Sequence, residues 1–423
     1  MQTSSSFRHD VRDTGEFISL SEVVSALSYA LELTEGAVKG QALRSCLLGM
    51  RIGAEMGLSA SEASGLYFAL LLRDIAGSDS AGRRDEMSGV PQRCYRGAEI
   101  LHKLGMGALA AEAVRCVDER WDGGGYPDGL RGTQIPLLAR ICAVAGHLEL
   151  FSQGRNTQDA IHRIEEHSGT WFDPEIVRVA VSLDRSGTLW NHCLSNDSQD
   201  ELRRVVVGLD PGRTQVLEAA AIDQVCEAFA DVVDAKSHFT FSHSMGVADA
   251  AVAIATAVGL PRRRVQLVRR AALLHDIGKL SVSNAILDKT GKLNAREWQS
   301  VRQHPGYTRR ILERVGPFRE IAVIAGEHHE KLDGSGYPNR LMAPDLSIEA
   351  RIIAVADIYG ALSEDRPYRA GLEFEQIVPI LQRLAPKKLD GACVEALVLA
   401  VYSQRVMTFS AVAQAASPLV YAV

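Results

Sequence analysis

The second half of this chain repeats the first. Leu71-Leu72-Arg73-Asp74-Ile75-Ala76 follows Gly57-Leu58, and Leu273-Leu274-His275-Asp276-Ile277-Gly278 follows Gly259-Leu260, at one constant spacing. Farther along, Asp333-Gly334-Ser335-Gly336-Tyr337-Pro338 answers Asp122-Gly123-Gly124-Gly125-Tyr126-Pro127. There the spacing is larger, because the second copy holds extra residues between His275 and His304, in a Gly-, Asn- and Lys-containing stretch that reads as a loop. Two matches in register point to gene duplication, and a repeated unit of this length means two domains of one kind.

Both copies read as helical. His243, Val247, Ala250, Ile254 and Val258 share one face at helical spacing, as do Val265, Val268, Ala272 and His275, while period-2 alternation is scarce. The expected fold is all-α, a tandem pair of helical bundles. Ser186 to Arg213 mixes Gly, Asn, Asp, Ser and Pro and reads as the connector. The layout is an N-terminal tail over 1–16, a first domain over 17–185, a linker over 186–215, a second domain over 216–405 and a C-terminal segment over 406–423. That last run is uncharged, but Thr408, Ser410, Gln414, Ser417 and Pro418 make it a packed segment and not a membrane span.

Composition sets the class. With 423 residues, 46% hydrophobic and 23% charged, the chain is neither disordered nor collagenous nor a disulfide-stapled miniprotein. A net charge of −6 argues against a general DNA or RNA binder, although a local cluster of Lys and Arg can still hold a nucleotide-sized anion. Seven cysteines, an odd number with no CxxC pair, read as reduced thiols. No apolar stretch follows the N-terminal charges, so no signal peptide is expected and the expected location is the cytoplasm.

Chemistry concentrates in the second copy. His243 and His275 sit on apolar helical stripes, Asp276 follows, and then come His304, His328, His329 and Asp357, nearly all in apolar surroundings. An isolated histidine on such a face is ordinarily a core residue, and an unpaired core carboxylate is costly. One metal centre accounts for all seven donors. Neutral imidazoles with carboxylates suit Fe, Mn or Zn, and seven donors exceed what one ion takes, so two divalent ions are expected.

The runs LLHDIGKL at 273–280, His304-Pro305, HHEKLDGSGYP at 328–338 and ADIYGALSEDRPYR at 356–369 together resemble the HD-GYP subgroup of HD-domain phosphohydrolases. The resemblance covers Lys236 to about Arg405. It implies a helical bundle with a two- or three-metal centre whose usual substrate is cyclic di-GMP, opened to linear pGpG and sometimes to GMP. Carried over, it makes His243, His275, Asp276, His304, His328, His329 and Asp357 the metal ligands, with Asp276 as the bridge. Trinuclear members have a Glu where this chain has Phe239 and a Lys where it has Ala361, so a dinuclear site is expected. Two ions would activate water and clamp the phosphate, with Asp276 and Lys279 as catalytic residues. Gly334 and Gly336 allow close backbone approach, and Tyr337 and Pro338 offer a surface to a nucleotide. Arg366 and Arg369 either hold phosphate or are solvated.

In the first copy Gln41 stands for His243, Arg73 for His275, Arg93 for His304, Val117 and Asp118 for His328 and His329, Gly146 for Asp357 and Gly77 for Lys279. Asp74 alone survives. This half is expected to bind no metal. It is either a buttress or a regulatory or dimerising domain, with Arg73 and Arg93 as an anion site and with signalling proteins as partners. A homodimer is possible, and neither nucleic acid nor membrane is expected as a partner. The leading activity is hydrolysis of cyclic di-GMP. The alternatives are cyclic GMP-AMP or another nucleotide as substrate, or a non-catalytic cyclic di-GMP receptor.

Overall fold

The computed structural model describes residues 18–33, 39–75, 90–152, 156–193, 199–211, 216–217, 219–234, 243–365 and 370–415. Phe239, Gly77, Arg366, Arg369, the tail over 1–16 and the end of the C-terminal segment over 416–423 lie outside the described residues. The first copy runs α1 (Leu20–Glu32), α2 (Gln41–Glu55), α3 (Ala60–Leu72), α4 (Val90–Lys103), α5 (Ala108–Arg115), α6 (Leu137–Phe151), α7 (Thr157–Glu166) and α8 (Pro174–Arg185). After α9 (Gln199–Gly208), the second runs α10 (Ala219–Asp234), α11 (His243–Ala257), α12 (Arg262–Leu274), α13 (Asn284–Leu287), α14 (Ala295–Arg302), α15 (His304–Leu312), α16 (Arg319–Gly326), α17 (Ile348–Ser363), α18 (Phe374–Leu384) and α19 (Gly391–Ala415).

The fold is all-α. The described strands are two residues each, Ile18–Ser19 paired antiparallel with Val216–Leu217, and they zip together the starts of the two copies. Helix starts follow from local chemistry. Ser59 caps α3 in a reciprocal box with Glu62, Ser347 caps α17, and Asp173 followed by Pro174 opens α8. The stretch between His275 and His304 is not simply a loop. It contains α13 and α14, the latter opened by Asn294 and Glu297 in the same reciprocal arrangement. A short polar helix of this kind has little apolar periodicity, so its cap is the main signal.

Helices α2, α3, α5 and α6 pack together in the first copy as α11, α12, α16 and α17 do in the second. Buried apolar residues of both copies form one contiguous interior. The copies also cross over. Helix α1 packs on α3 of its own copy and on α15 and the 3-10 turn Ile277–Ser281 of the other. Helix α10 packs on α12 of its own copy and on α4 of the first. Matching junction positions carry different chemistry: the Arg314 guanidinium lies 3.6 Å from the Tyr29 ring centroid, whereas Lys103 pairs with Asp231 at 2.6 Å. Arg203 of α9 ties the crossing, donating to Ser25 Oγ at 2.9 Å and to the Arg314 carbonyl at 2.6 Å. Among the described residues, no helix is long and apolar enough to cross a membrane. All seven cysteines are free and buried.

Candidate metal centre

Five helices and one 3-10 turn deliver the donors. His275 ends α12 and Asp276 leads into the 3-10 turn, His243 and His304 are the first residues of α11 and α15, His328 and His329 follow α16, and Asp357 lies inside α17. Gly278 lets α15 come close: a Cβ there would stand 1.9 Å from the His304 carbonyl oxygen. The Gly278 N–H donates to Thr308 Oγ1 at 3.0 Å, and that hydroxyl donates to the His275 carbonyl at 2.7 Å. The start of α11 is pinned by Asp234, which accepts from the Ser244 N–H and hydroxyl at 3.1 and 2.7 Å. Glu32 performs the same task in the first copy, accepting from the N–H groups of Gly40 and Ala42.

All seven predicted donors converge. His243, His275, Asp276, His304, His328 and Asp357 are buried and His329 is half-buried. Six of them form two groups, His243 with His275 and Asp276, and His304 with His328 and His329, each with its donor atoms within 4.8 Å of one another. Asp276 lies between them. Its Oδ2 is 3.3 Å from His275 Nε2 and 3.9 Å from His243 Nε2, while its Oδ1 is 3.2 Å from His304 Nε2 and 3.8 Å from His328 Nε2. Asp357 faces His243 and His275 with Oδ1, at 3.6 and 3.8 Å, and His329 with Oδ2 at 3.5 Å.

The histidines are oriented by one repeated device. Nδ1–H of His275, His304 and His328 donates to the carbonyl three residues earlier, at 2.7, 2.6 and 2.6 Å, which keeps the proton on Nδ1 and turns Nε2 inward. His243 Nδ1 instead meets both Glu364 oxygens at 2.9 Å. His275 Nε2 and Asp276 Oδ1 are buried with no hydrogen-bond partner, a costly state that a cation between them would relieve. The residues therefore fit a divalent metal.

Charge states agree with that fit. Burial pushes the Asp276 carboxyl up, yet His275 and Lys279 outweigh it and hold Asp276 well below the carboxylate range; Asp357 is held low against burial by His243 and His275. Burial keeps His328 neutral and lowers His329 to about 3. His275 is driven down by burial but raised to about 10 by Asp276 and Asp357, so a metal binding there displaces a proton.

On the substrate side, Lys279 ion-pairs with Asp276 and remains partly open to solvent. The Tyr337 ring lies 4.8 Å from the His329 ring, and Pro338 at the loop tip is exposed. Gly334 takes φ +73°, and a Cβ on Gly336 would stand 2.5 Å from Glu330 Cα and Lys331 N, so the loop needs both glycines. Buried Glu330 holds the loop by accepting from the N–H groups of Asn339 and Leu341 at 2.6 and 3.0 Å. Sequence reasoning gave no role to Glu330 or Glu364. The first had a visible signal, since Glu119 stands in register and accepts from Asp128 and Leu130 in the same way. Glu364 had none.

The first copy keeps this loop and rebuilds the centre. Arg73 fills it: a Cβ on Gly146 would stand 1.7 Å from Arg73 Nη1. Arg73 Nε lies 3.3 Å from Asp74, whose side chain is 48% exposed against 4% for Asp276, so the surviving aspartate has turned outward. Arg93 pairs with Asp118 at 3.3 Å. An Arg44–Glu149 pair at 2.6 Å occupies positions that are Gly246 and Gly360 in the second copy, where the room admits Glu364.

Known proteins resemble this chain. The HD domain family model matches residues 27–176 and again 227–393. The chain is 34% identical to 3′3′-cGAMP-specific phosphodiesterase 3 of Vibrio cholerae, over 89% of this chain and 94% of that protein. It is 40% identical to a cyclic di-GMP phosphodiesterase of Pseudomonas aeruginosa over 31% of this chain and 32% of the other. A crystal structure of a cyclic GMP-AMP-specific phosphodiesterase of Vibrio cholerae superposes with a TM-score of 0.66 at 32% identity, covering 91% of this chain and 98% of that one. The chain belongs to the HD domain family, in its HD-GYP subgroup of metal-dependent phosphohydrolases, and carries two copies of the domain in tandem.

Proposed function

We propose that the second copy is a dinuclear phosphodiesterase that opens 3′3′-cyclic GMP-AMP, with cyclic di-GMP as the second reading. The observation that carries the activity is the Asp276 carboxylate between two histidine groups, with a buried oxygen that lacks a hydrogen-bond partner. The substrate is supported by the relative that matches 89% of this chain, tandem copies included. Cyclic di-GMP is favoured by a relative that is 40% identical over 31% of this chain. The ligands proposed are His243, His275, Asp276, His304, His328, His329 and Asp357. Their nitrogen and oxygen donors, with no thiolate, favour Fe or Mn, and Zn is also accommodated.

When bound, a pair of divalent cations supplies Lewis acidity toward a phosphoryl oxygen and lowers the pKa of water. The protein does the rest. The backbone carbonyls and Glu364 fix the histidine tautomers, Asp276 holds the two donor groups in register, and Lys279 stands beside Asp276 where charge grows on the phosphoryl oxygens. Glu330 keeps the Tyr337 loop against His329, which limits where a nucleotide sits. The first copy is proposed to bind no metal, because Arg73 already fills its centre.

The test is direct. The full chain is loaded with Mn or Fe, offered each cyclic dinucleotide, and its products are separated by chromatography. Linear dinucleotide or mononucleotide formation that chelator abolishes supports the proposal. A fully metal-loaded chain that turns over neither substrate refutes it.

A further inference from the structure

We propose that Trp298 and Arg302 form the platform on which one nucleobase of the substrate stacks, an inference that rests on the proposed phosphodiesterase activity. Trp298 is 47% exposed, an unusual state for the largest apolar side chain. It lies on α14, which ends two residues before His304. The Arg302 guanidinium stands 5.9 Å from the Trp298 ring centroid and 5.7 Å from that of Tyr337. Tyr337 in turn lies 4.8 Å from His329. Planar groups thus lead stepwise from an exposed indole to the candidate metal centre.

Three features suit this ladder to a base. A purine is a flat π-system that stacks on indole and on guanidinium alike, whatever its hydrogen-bonding edge. Helix α14 is held firm, by the Asn294–Glu297 cap and by Lys289, which meets both Glu297 oxygens at 2.7 Å. The platform also accompanies the donors: α14 lies in the stretch that the second copy enlarges, and the first copy has Pro91 in register with Arg302. A cyclic dinucleotide with one phosphate at the metal donors carries its bases to the side of that phosphate, where the ladder runs.

The experiment uses the full Mn-loaded chain and four variants, Trp298→Ala, Trp298→Phe, Arg302→Ala and Arg302→Lys. Calorimetry measures binding of GMP and AMP against inorganic phosphate, and kinetics measures KM and kcat for 3′3′-cyclic GMP-AMP. Trp298→Ala is expected to weaken GMP or AMP binding about tenfold, within what one stacked base contributes. Phosphate binding and metal content should stay as they are. KM should rise by a similar factor with a much smaller fall in kcat, and Trp298→Phe should recover most of the loss. Arg302→Lys should behave like Arg302→Ala, because charge without a plane does not stack. Mononucleotide binding that Trp298→Ala leaves within twofold overturns the platform, and full rescue by Arg302→Lys overturns the stacking role of Arg302. A chain that binds GMP through Trp298 yet opens no cyclic dinucleotide refutes the activity and leaves the platform standing.

Discussion

Replacing Gly278 by alanine tests whether the close approach of two elements builds the centre. The added methyl would stand 1.9 Å from the His304 carbonyl oxygen and 2.7 Å from the Thr308 nitrogen. Both obstacles are backbone, so no rotamer change relieves them. The 3-10 turn and α15 must separate by roughly 1 Å or more, at a cost of about 1–3 kcal/mol for overpacking. The turn follows Asp276 and carries Lys279, and α15 begins with His304, whose Nε2 is 3.2 Å from Asp276 Oδ1. Metal–ligand distances tolerate only about 0.2 Å, so the separation divides the two donor groups. Metal content measured by elemental analysis should fall, and turnover should drop about 100-fold or more. Gly306→Ala on α15 is the control: nothing lies within 4 Å of its added methyl. Gly278→Ala with full metal content and turnover within threefold of the unsubstituted chain would refute the reasoning.

The duplication supplies paired tests. Glu330→Ala and Glu119→Ala each leave two loop N–H groups without an acceptor, at about 1–3 kcal/mol per group, so both should lower the melting temperature. Only Glu330→Ala should raise KM. Asp276→Ala should abolish turnover while circular dichroism stays helical; retained turnover would remove Asp276 as the bridge. Arg203→Ala loses two charge-assisted hydrogen bonds at the crossing of the copies, and calorimetric unfolding should show about 1.5–3 kcal/mol of lost stability. Burial lowers His147 from its ordinary 6.5, with Arg73 adding to the effect. The unfolded chain therefore takes up that proton first, and stability falls as pH drops below about 6.5. His147→Phe should flatten this slope in melting temperature measured against pH, and an unchanged slope would rule out the histidine.

What the sequence made legible was periodicity and donor chemistry. The helical stripe through His243, Val247 and Ile254 and the register of the two tyrosine–proline loops led to the tandem all-α fold, and the seven candidate donors singled out by residue type and family resemblance lie close together. Side-chain direction was not legible. Asp74 reads as a surviving ligand, yet its side chain is half exposed, and the Arg73 guanidinium, not the carboxylate, fills the room left at Gly146. The partnership of His243 with Glu364 depends on two glycines opening space between helices, which no local pattern reports. The crossing of α1 and α10 was equally hidden, since an amphipathic helix does not say which of two similar bundles it will cover.

That crossing also fixes how the protein responds to dilution. Two separate copies joined through such helices would part as concentration fell, in proportion to their dissociation constant. A covalent linker makes the second copy's partner a permanent neighbour, at an effective concentration on the order of millimolar. Helix α1 therefore stays on the turn that carries Lys279 even when a cell holds very few molecules. The contact between the copies becomes independent of abundance, and the first copy serves the second so long as its buried first helix keeps its seat.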